Sequence, residues 1–245
     1  MALALNRENY VLHKIHSLTG IVPVGYYMVQ HLVLNTFSLA SPAAFDSVIG
    51  FFESMPPYIL LTMEVLMIWT PLLFHAVYGI FITGRAKPNF IGTKYGWTEN
   101  RLYYFQRVSG ILVFFFLIYH VISTTVYKYW THDSSVVKYA AWHAKFENYG
   151  HVLLFVYLIG VAAASYHLSY GLWNFCIRWG ITISEKAQVQ VQKISLVCFL
   201  GLTGIGWAAL AGFLIHGDPS TYATPVMRSQ PAVSSVARPQ ATGFN

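Results

Sequence analysis

Charged side chains are scarce in this chain. Only 10% of its 245 residues are Asp, Glu, Lys or Arg, whereas 56% are hydrophobic and 17% aromatic. A typical soluble domain is about 25% charged, so this composition predicts an integral membrane protein without a large soluble domain. The formal net charge of +6 does not indicate nucleic-acid binding, because the basic residues flank apolar runs instead of covering one face.

Cysteine is equally scarce. Cys176 and Cys198 are single and lie in or beside apolar runs. No CxxC or CxxCH sequence occurs, which excludes a zinc ribbon and a covalent c-type haem site, and we expect two free thiols. The first 14 residues contain no apolar core, so we expect no cleavable signal peptide.

Five apolar runs are long enough to span a bilayer, for which about 20 helical residues suffice. They are Ile15–Thr36, Tyr58–Ile82, Val108–Tyr129, His151–Ile177 and Ile194–Ile215. The predicted fold is therefore all-α: an integral membrane domain of five transmembrane helices over residues 1–217, the first four forming an antiparallel bundle. Residues 218–245 are rich in Pro, Ser, Ala and Thr and are predicted to form an extended tail.

The connections between the runs differ in charge. Those on the side of the N-terminus contain ten basic residues, and those on the opposite side contain five. The positive-inside rule then predicts a cytoplasmic N-terminus, an external C-terminus and tail, and a location in the inner (cytoplasmic) membrane. The first outer connection is expected to form an amphipathic helix around Phe45 and Ile49. His132 and His143, in the second outer connection, are expected to be solvated.

Each of the first four runs carries one deep histidine, at intervals of 44, 45 and 47 residues: His31, His75, His120 and His167. Ionisable residues at membrane depth are costly and are functional-site hypotheses by default. At 1.5 Å per residue from the basic residue at the cytoplasmic end, His75 and His167 lie about 15 and 16 Å deep, and His120 and His31 about 20 and 25 Å deep. We name His75 and His167 the inner pair, and His31 and His120 the outer pair.

Each pair also comes from helices that are diagonal in an up-down four-helix bundle. Two imidazoles at one level match the axial ligands of a b-type haem, which then transfers single electrons. A zinc site is disfavoured, because zinc prefers four ligands at one level. Gly79 and Gly171 follow the inner pair by one turn and are expected to make room for a macrocycle, and Gly20, Gly25 and Gly110 are expected to serve the outer pair. Beyond the histidine spacing, no internal repeat is expected.

The chain resembles the di-haem cytochrome b (b558-type) membrane anchor of succinate:quinone oxidoreductases, the type with a single five-helix subunit. The resemblance covers roughly residues 7–215 and is carried by HSLTGIVPVG at 16–25, QHLV at 30–33, PLLFHAVYG at 71–79, QRVSG at 106–110, HLSYGLW at 167–173 and WGI at 179–181. It implies that His31 and His120 bind the iron of an outer haem, and His75 and His167 the iron of an inner haem.

The resemblance also implies partners. These are a flavoprotein subunit with FAD and the succinate site, and an iron–sulfur subunit with three clusters, both docked on the cytoplasmic face. Electrons would pass through the two haems to a membrane quinone, usually menaquinone. Whether the complexes assemble into trimers stays open. Some members of the family have a Glu two residues before the fourth haem ligand and use it to move protons. The corresponding residue before His167 is Ser165, which puts a proton pathway of this kind in doubt.

Further residues are candidates by position. His16, Ser17, Arg107, Ser109 and Trp173 lie where a haem propionate or haem edge is expected, and His16 could instead reach a quinone. Arg107 offers a bidentate fork for a carboxylate, but a positive-inside anchor is an equally good interpretation.

Two glutamates are candidates for proton transfer to quinone. Glu64 lies three turns before His75 on the same face, so it is expected near the outer haem. A carboxylate that reaches outer water is the alternative. Glu53 is a second candidate for the role.

Three other functions stay open. The first is an anchor of a quinol:fumarate reductase, and the second is a cytochrome b subunit of another respiratory oxidoreductase. The third belongs to a different class, a proton-coupled transporter with a histidine relay.

Overall fold

The structure is a computed structural model that describes residues 2–85, 94, 97–148 and 151–217, with side chains from Tyr10 onward. This part of the chain is helical and contains no strand. Its α-helices are α1 (Ala2–Ile21), α2 (Pro23–Asn35), α3 (Phe37–Ala40), α4 (Pro42–Glu53), α5 (Pro57–Met63), α6 (Thr70–Arg85), α7 (Thr98–Val121), α8 (Tyr127–Thr131), α9 (Tyr139–Asn148), α10 (Val152–Arg178) and α11 (Glu185–Ile215). The predicted tail at 218–245 lies outside the described residues.

Four continuous helices in the described residues are long and apolar enough to cross a membrane: Pro57–Arg85, Thr98–Thr131, Val152–Arg178 and Glu185–Ile215. They match the last four predicted spans, although the third of them begins at Val152, one residue after the predicted start at His151. The first two include π-helical segments, Glu64–Trp69 between α5 and α6 and Ile122–Val126 between α7 and α8. Their outward side chains are apolar and exposed, as expected against lipid; Leu73 is 66% and Phe115 66% exposed.

The first predicted span, Ile15–Thr36, consists of two helices instead of one. α1 ends at Ile21 and α2 begins at Pro23, with Val22 between them in a right-handed helical conformation. Proline has no N–H and its ring displaces the carbonyl of the preceding turn, which explains the break. The Val22 N–H still donates to the Leu18 carbonyl over 2.9 Å, so the chain continues in the helical direction.

The helices surround a common interior. α1 and α2 contact α6, α6 contacts α7, α7 contacts α10, and α10 contacts α1, so that the four histidine-bearing segments close a ring. α11 lies outside this ring against α10, α2 and α3. The contact with α3 is close, because the buried Ser38 hydroxyl donates to the Ala209 carbonyl over 2.7 Å.

The outer connections pack against the helix ends. α4 is the predicted amphipathic helix: its Phe45 is 3% exposed and contacts Phe213 of α11. Ser41 caps it by accepting a hydrogen bond from the Ala44 N–H over 3.0 Å. The expectation of a solvated His143 is wrong, since His143 lies in α9, is 4% exposed and donates through Nδ1 to the Phe213 carbonyl over 2.7 Å. His132 is exposed, as predicted.

We predict that Gly212→Ala weakens the contact between α11 and α3. A Cβ at Gly212 would lie 2.7 Å from the Leu39 backbone nitrogen and would also meet the Ser38 hydroxyl, so the backbone would have to move. Overpacking of this kind costs about 1–3 kcal/mol, which corresponds to about 2–12 °C in the melting temperature. Thermal unfolding of the detergent-solubilised protein measures it.

Gly204→Ala is the matched control, because a Cβ there would meet nothing within 4 Å on the same helix. Equal melting temperatures for the two variants would contradict the proposed close contact.

Candidate functional site

The structure brings the four deep histidines together in the two predicted pairs. The ring centroids of His31 and His120 are 5.8 Å apart with an interplanar angle of 75°. Those of His75 and His167 are 6.0 Å apart with an angle of 84°. Among the described residues, no group of three or more His, Cys, Asp or Glu side chains could hold a metal ion. Paired imidazoles are therefore the chemical unit of this site.

The spacing within both pairs fits a haem iron between two imidazoles. A bond from an imidazole nitrogen to a first-row metal is about 2 Å long, so two axial ligands on one iron have ring centroids roughly 6 Å apart. The observed separations, 5.8 and 6.0 Å, match this value. The residues present therefore fit the cofactor that the sequence resemblance implies.

Backbone carbonyls orient the inner pair. His75 Nδ1 lies 2.9 Å from the His16 carbonyl oxygen, and His167 Nδ1 lies 3.0 Å from the Gln106 carbonyl oxygen. A carbonyl only accepts hydrogen bonds, so Nδ1 carries the proton in both rings and Nε2 keeps its lone pair. This is the usual arrangement around a metal-bound histidine, in which the second ring nitrogen donates to a fixed acceptor.

Glycines make room for the inner pair. A Cβ at Gly20 would collide with the His75 ring, and a Cβ at Gly110 would lie 2.8 Å from His167 Cε1. The prediction that Gly20 and Gly110 serve the outer pair is therefore wrong. Gly79 and Gly171 also have partners other than those expected, since they face His16 and the Gln106 amide. The physical reason is that each inner histidine must approach a neighbouring helix closely to reach its carbonyl.

These contacts reveal an internal repeat that the sequence analysis missed. The segments HAVYG at 75–79 and HLSYG at 167–171 share the pattern HxxYG. The first packs against HSLTG at 16–20 and the second against QRVSG at 106–110. In both of these partner segments, a glycine follows the residue with the accepting carbonyl by four positions. The α1–α6 contact is thus repeated as the α7–α10 contact. The spacing of 59 residues from His16 to His75, and of 61 from Gln106 to His167, was the signal available in the sequence.

Aromatic side chains surround the outer pair. His120 Nδ1 lies 3.1 Å from the Tyr157 hydroxyl, and Tyr157 is only 4% exposed. Trp142 of α9 stacks alongside the His120 ring, with centroids 6.2 Å apart, and Tyr27 stacks on His31 at 5.6 Å. Tyr157 and Trp142 carry no local sequence signal, because their positions depend on the way α9 and α10 fold against α7.

Two of the other predicted residues, His16 and Ser109, contact the inner pair, and a third, Trp173, is buried in α10. His16 stacks on His75 with ring centroids 4.0 Å apart. The buried Ser109 hydroxyl donates to the Gln106 carbonyl over 2.9 Å and lies 3.5 Å from His167 Nδ1. Trp173 is 5% exposed, and its indole N–H has no hydrogen-bond partner among the described residues. A buried donor of this kind suits a ligand that accepts hydrogen bonds.

Ser17 and Arg107 make contacts elsewhere. The Ser17 hydroxyl donates to the Lys14 carbonyl and accepts from the Trp179 indole over 3.0 Å, which joins the ends of α1 and α10. The Arg107 guanidinium lies over the Tyr103 ring, 5.0 Å from its centroid. Within the described residues, Ser17 and Arg107 thus contact aromatic rings instead of the four deep histidines.

Glu64 lies beside a cavity between the second and third spans. Its carboxylate accepts a hydrogen bond from the Tyr129 hydroxyl over 2.8 Å. This cavity is an open groove with a volume of about 400 Å³, lined by Leu61, Trp69, Thr125, Val126, Tyr129 and Trp130, of which Trp130 is 83% exposed. Both π-helical segments contribute to it, and π-helical turns are frequent at functional sites. Glu53, at the end of α4, is exposed.

Comparison with known proteins identifies the family. No family model matches the chain. The succinate dehydrogenase cytochrome b558 subunit of Bacillus subtilis (strain 168) is 33% identical over 214 residues, which cover 85% of this chain and 98% of that protein. The similarity thus covers most of this chain and nearly all of that protein. The chain belongs to the succinate dehydrogenase cytochrome b558 subunit family.

Proposed function

We propose that this chain anchors a succinate dehydrogenase in the membrane and passes electrons from its iron–sulfur subunit to a membrane quinone. Membership of the family implies haem b as the cofactor. We further propose two haems, with His31 and His120 as ligands of the outer one and His75 and His167 as ligands of the inner one. The observation that carries this proposal is the pairing of the four rings at 5.8 and 6.0 Å.

The chain's own contribution is position and proton placement. A haem held by two of these histidines would supply one-electron transfer. The carbonyls of His16 and Gln106 hold the inner imidazoles in the tautomer that leaves Nε2 free, and the Tyr157 hydroxyl holds His120. The Trp173 indole N–H, which has no partner among the described residues, is our first candidate donor to the haem edge or propionates. Ser109, His16, Ser17 and Arg107 are weaker candidates, since each already contacts another side chain.

We propose five membrane spans, with α1 and α2 together forming the first. Residues Ile15 to Asn35 of these two helices are long enough to cross the bilayer despite the break at Val22. The first four spans would form an antiparallel bundle with the N-terminus in the cytoplasm and the C-terminus outside, because the connections on the N-terminal side carry most of the basic residues. The flavoprotein subunit with FAD and the iron–sulfur subunit would dock on that basic side.

The cavity beside Glu64 is the proposed site for the quinone, with menaquinone as our first choice. Two of its lining residues, Thr125 and Val126, belong to the same span as His120 and follow it by less than two turns, which supports a site at the level of the outer pair or beyond it. Glu64 would exchange protons with the quinone, and the Tyr129 hydroxyl would hold its carboxylate in place. Glu53 is the second candidate for this proton transfer.

The remaining alternatives predict different properties. An anchor of a quinol:fumarate reductase would have the same haem and quinone sites. The direction of turnover in the cell would distinguish it from an anchor of a succinate dehydrogenase. A cytochrome b subunit of another respiratory enzyme would not co-purify with covalent flavin. A proton-coupled transporter would show no haem band in a reduced-minus-oxidised spectrum. The curated relative supports the succinate dehydrogenase interpretation over the latter two.

We predict that His75→Ala and His167→Ala each remove the inner haem, whereas His31→Ala and His120→Ala each remove the outer one. A single remaining imidazole holds the iron on one face only. The haem content per polypeptide should fall from two to one, as measured by pyridine haemochrome analysis of the purified complex. His132→Ala, at an exposed position, should keep both haems. Two haems in His75→Ala would contradict the assignment.

We predict that Gly110→Ala disturbs the inner haem alone. The added Cβ would lie 2.8 Å from His167 Cε1 and would displace the ring from the Gln106 carbonyl. A redox titration should show a changed midpoint potential for the inner haem and an unchanged one for the outer haem. Gly84→Ala adds a Cβ in open space and serves as the control. If neither haem changed in Gly110→Ala, the close approach of His167 to α7 would be wrong.

We predict that Glu64→Gln lowers succinate:quinone turnover about 100-fold or more, because general acid–base catalysis by a positioned group contributes about 10²–10⁴-fold. Tyr129→Phe should lower turnover less, because the carboxylate remains. Succinate oxidation with a dye that accepts electrons from the flavoprotein should be unchanged in both variants. Glu53→Gln is the comparison: if it lowers quinone turnover and Glu64→Gln does not, Glu53 is the proton-transfer residue.

A further inference from the structure

Lys145 of α9 is a partly buried cation beside the outer pair. Its Nζ donates to the Val136 carbonyl over 3.2 Å and to the Ser123 carbonyl over 3.5 Å. It also lies 4.7 Å from the centroid of the Trp142 ring. In the part of the chain that the structure describes, no carboxylate pairs with Lys145, because Glu147 is within 3.4 Å of His143 Nε2 instead. The ammonium group is therefore held by dipoles and an aromatic face, without an anion.

Two contacts connect Lys145 to the outer pair. Trp142 lies between Lys145 and His120: the lysine is over its ring, and the ring stacks alongside His120 with an interplanar angle of 20°. Ser123, whose carbonyl accepts from Lys145, donates through its own hydroxyl to the His120 carbonyl over 3.2 Å. Through Trp142 and Ser123, Lys145 is thus held near His120 of the outer pair.

A cation in this position calls for a counter-charge. Burial lowers the pKa of the Lys145 amine, which expresses the cost of keeping it charged among apolar groups. Partly buried charges in proteins are normally paired with an opposite charge. A b-type haem has two propionate carboxylates at its edge, and these are the anions that the cofactor would bring to this level of the membrane.

We propose that Lys145 binds a propionate of the outer haem and thereby raises the midpoint potential of that haem. This inference rests on the proposed function, which provides the outer haem between His31 and His120. A cation close to the macrocycle stabilises the reduced form, which carries one electron more than the oxidised form. Lys145 therefore positions the cofactor and tunes its electron affinity without touching the iron.

Lys145→Gln in the purified succinate dehydrogenase complex tests this proposal. We expect the equilibrium constant for reduction of the outer haem to fall about three- to tenfold, where tenfold equals 59 mV for a one-electron couple. The inner haem should keep its potential. If the Lys145→Gln complex fails to assemble, Lys145→Met serves instead, because it keeps an unbranched side chain against Trp142, and it should give the same shift. Lys145→Arg keeps the positive charge and should therefore keep the wild-type potential.

Lys138→Gln is the matched control, because it removes one positive charge from the same connection. The hydroxyl and N–H of Ser135 lower the pKa of Asp133, with a smaller contribution from Lys138, so Lys138 lies near an exposed acid. An unchanged outer-haem potential in Lys145→Gln and Lys145→Met would overturn the proposal. So would an equal shift in Lys138→Gln, or a shift confined to the inner haem.

Failure of the proposed function would look different. A wild-type complex with fewer than two haems would remove the outer haem altogether, and the Lys145 proposal with it. A wild-type complex with two haem potentials, both unchanged by the Lys145 variants, would leave the proposed function intact and refute the role of Lys145 alone.

Discussion

The arrangement of this protein depends on how four imidazoles are held inside an apolar helix bundle. A polar ring at membrane depth is stable only when its nitrogens have partners. For the inner pair, the Nδ1 partners are backbone carbonyls of His16 and Gln106, which belong to neighbouring helices. The same contact that satisfies one nitrogen leaves the other free for a metal. The need for the ring to reach a backbone carbonyl explains the glycines at 20 and 110, because a side chain there would block the approach.

The repeated geometry gives the bundle an approximate internal symmetry. His75 of α6 contacts α1 in the same way that His167 of α10 contacts α7. The glycines four positions after these histidines, Gly79 and Gly171, face His16 and Gln106, whose carbonyls accept the hydrogen bonds from the histidines. The outer pair lacks this symmetry. His120 is held by Tyr157, and the connection that contains α9 covers it with Trp142 and Lys145. The inner level is therefore built by helix–helix contacts, whereas the outer level also depends on a connection between helices.

Much of the fold follows from hydropathy and length. The last four spans, the amphipathic α4 and the adjacency of the paired histidines were all predictable, since spanning length, helical period and depth are set by local geometry. The break at Val22 is explained by Pro23, because proline interrupts the hydrogen bonds of a helix that continues through it. The π-helical segments, the burial of His143 and the partners of Gly20 and Gly110 could not be predicted, because they arise from contacts between segments distant in sequence. Gln106 is the first residue of the QRVSG motif, but its role depends on its main-chain carbonyl, which no sequence pattern reveals.

The central claim is that the four deep histidines bind two haems in two levels. The most direct measurement is the number of haems per polypeptide in the purified complex, combined with electron paramagnetic resonance of the oxidised protein. The account predicts two haem b groups, each low-spin with two histidine ligands and each with its own midpoint potential. A single haem per chain, or a colourless preparation, would contradict it.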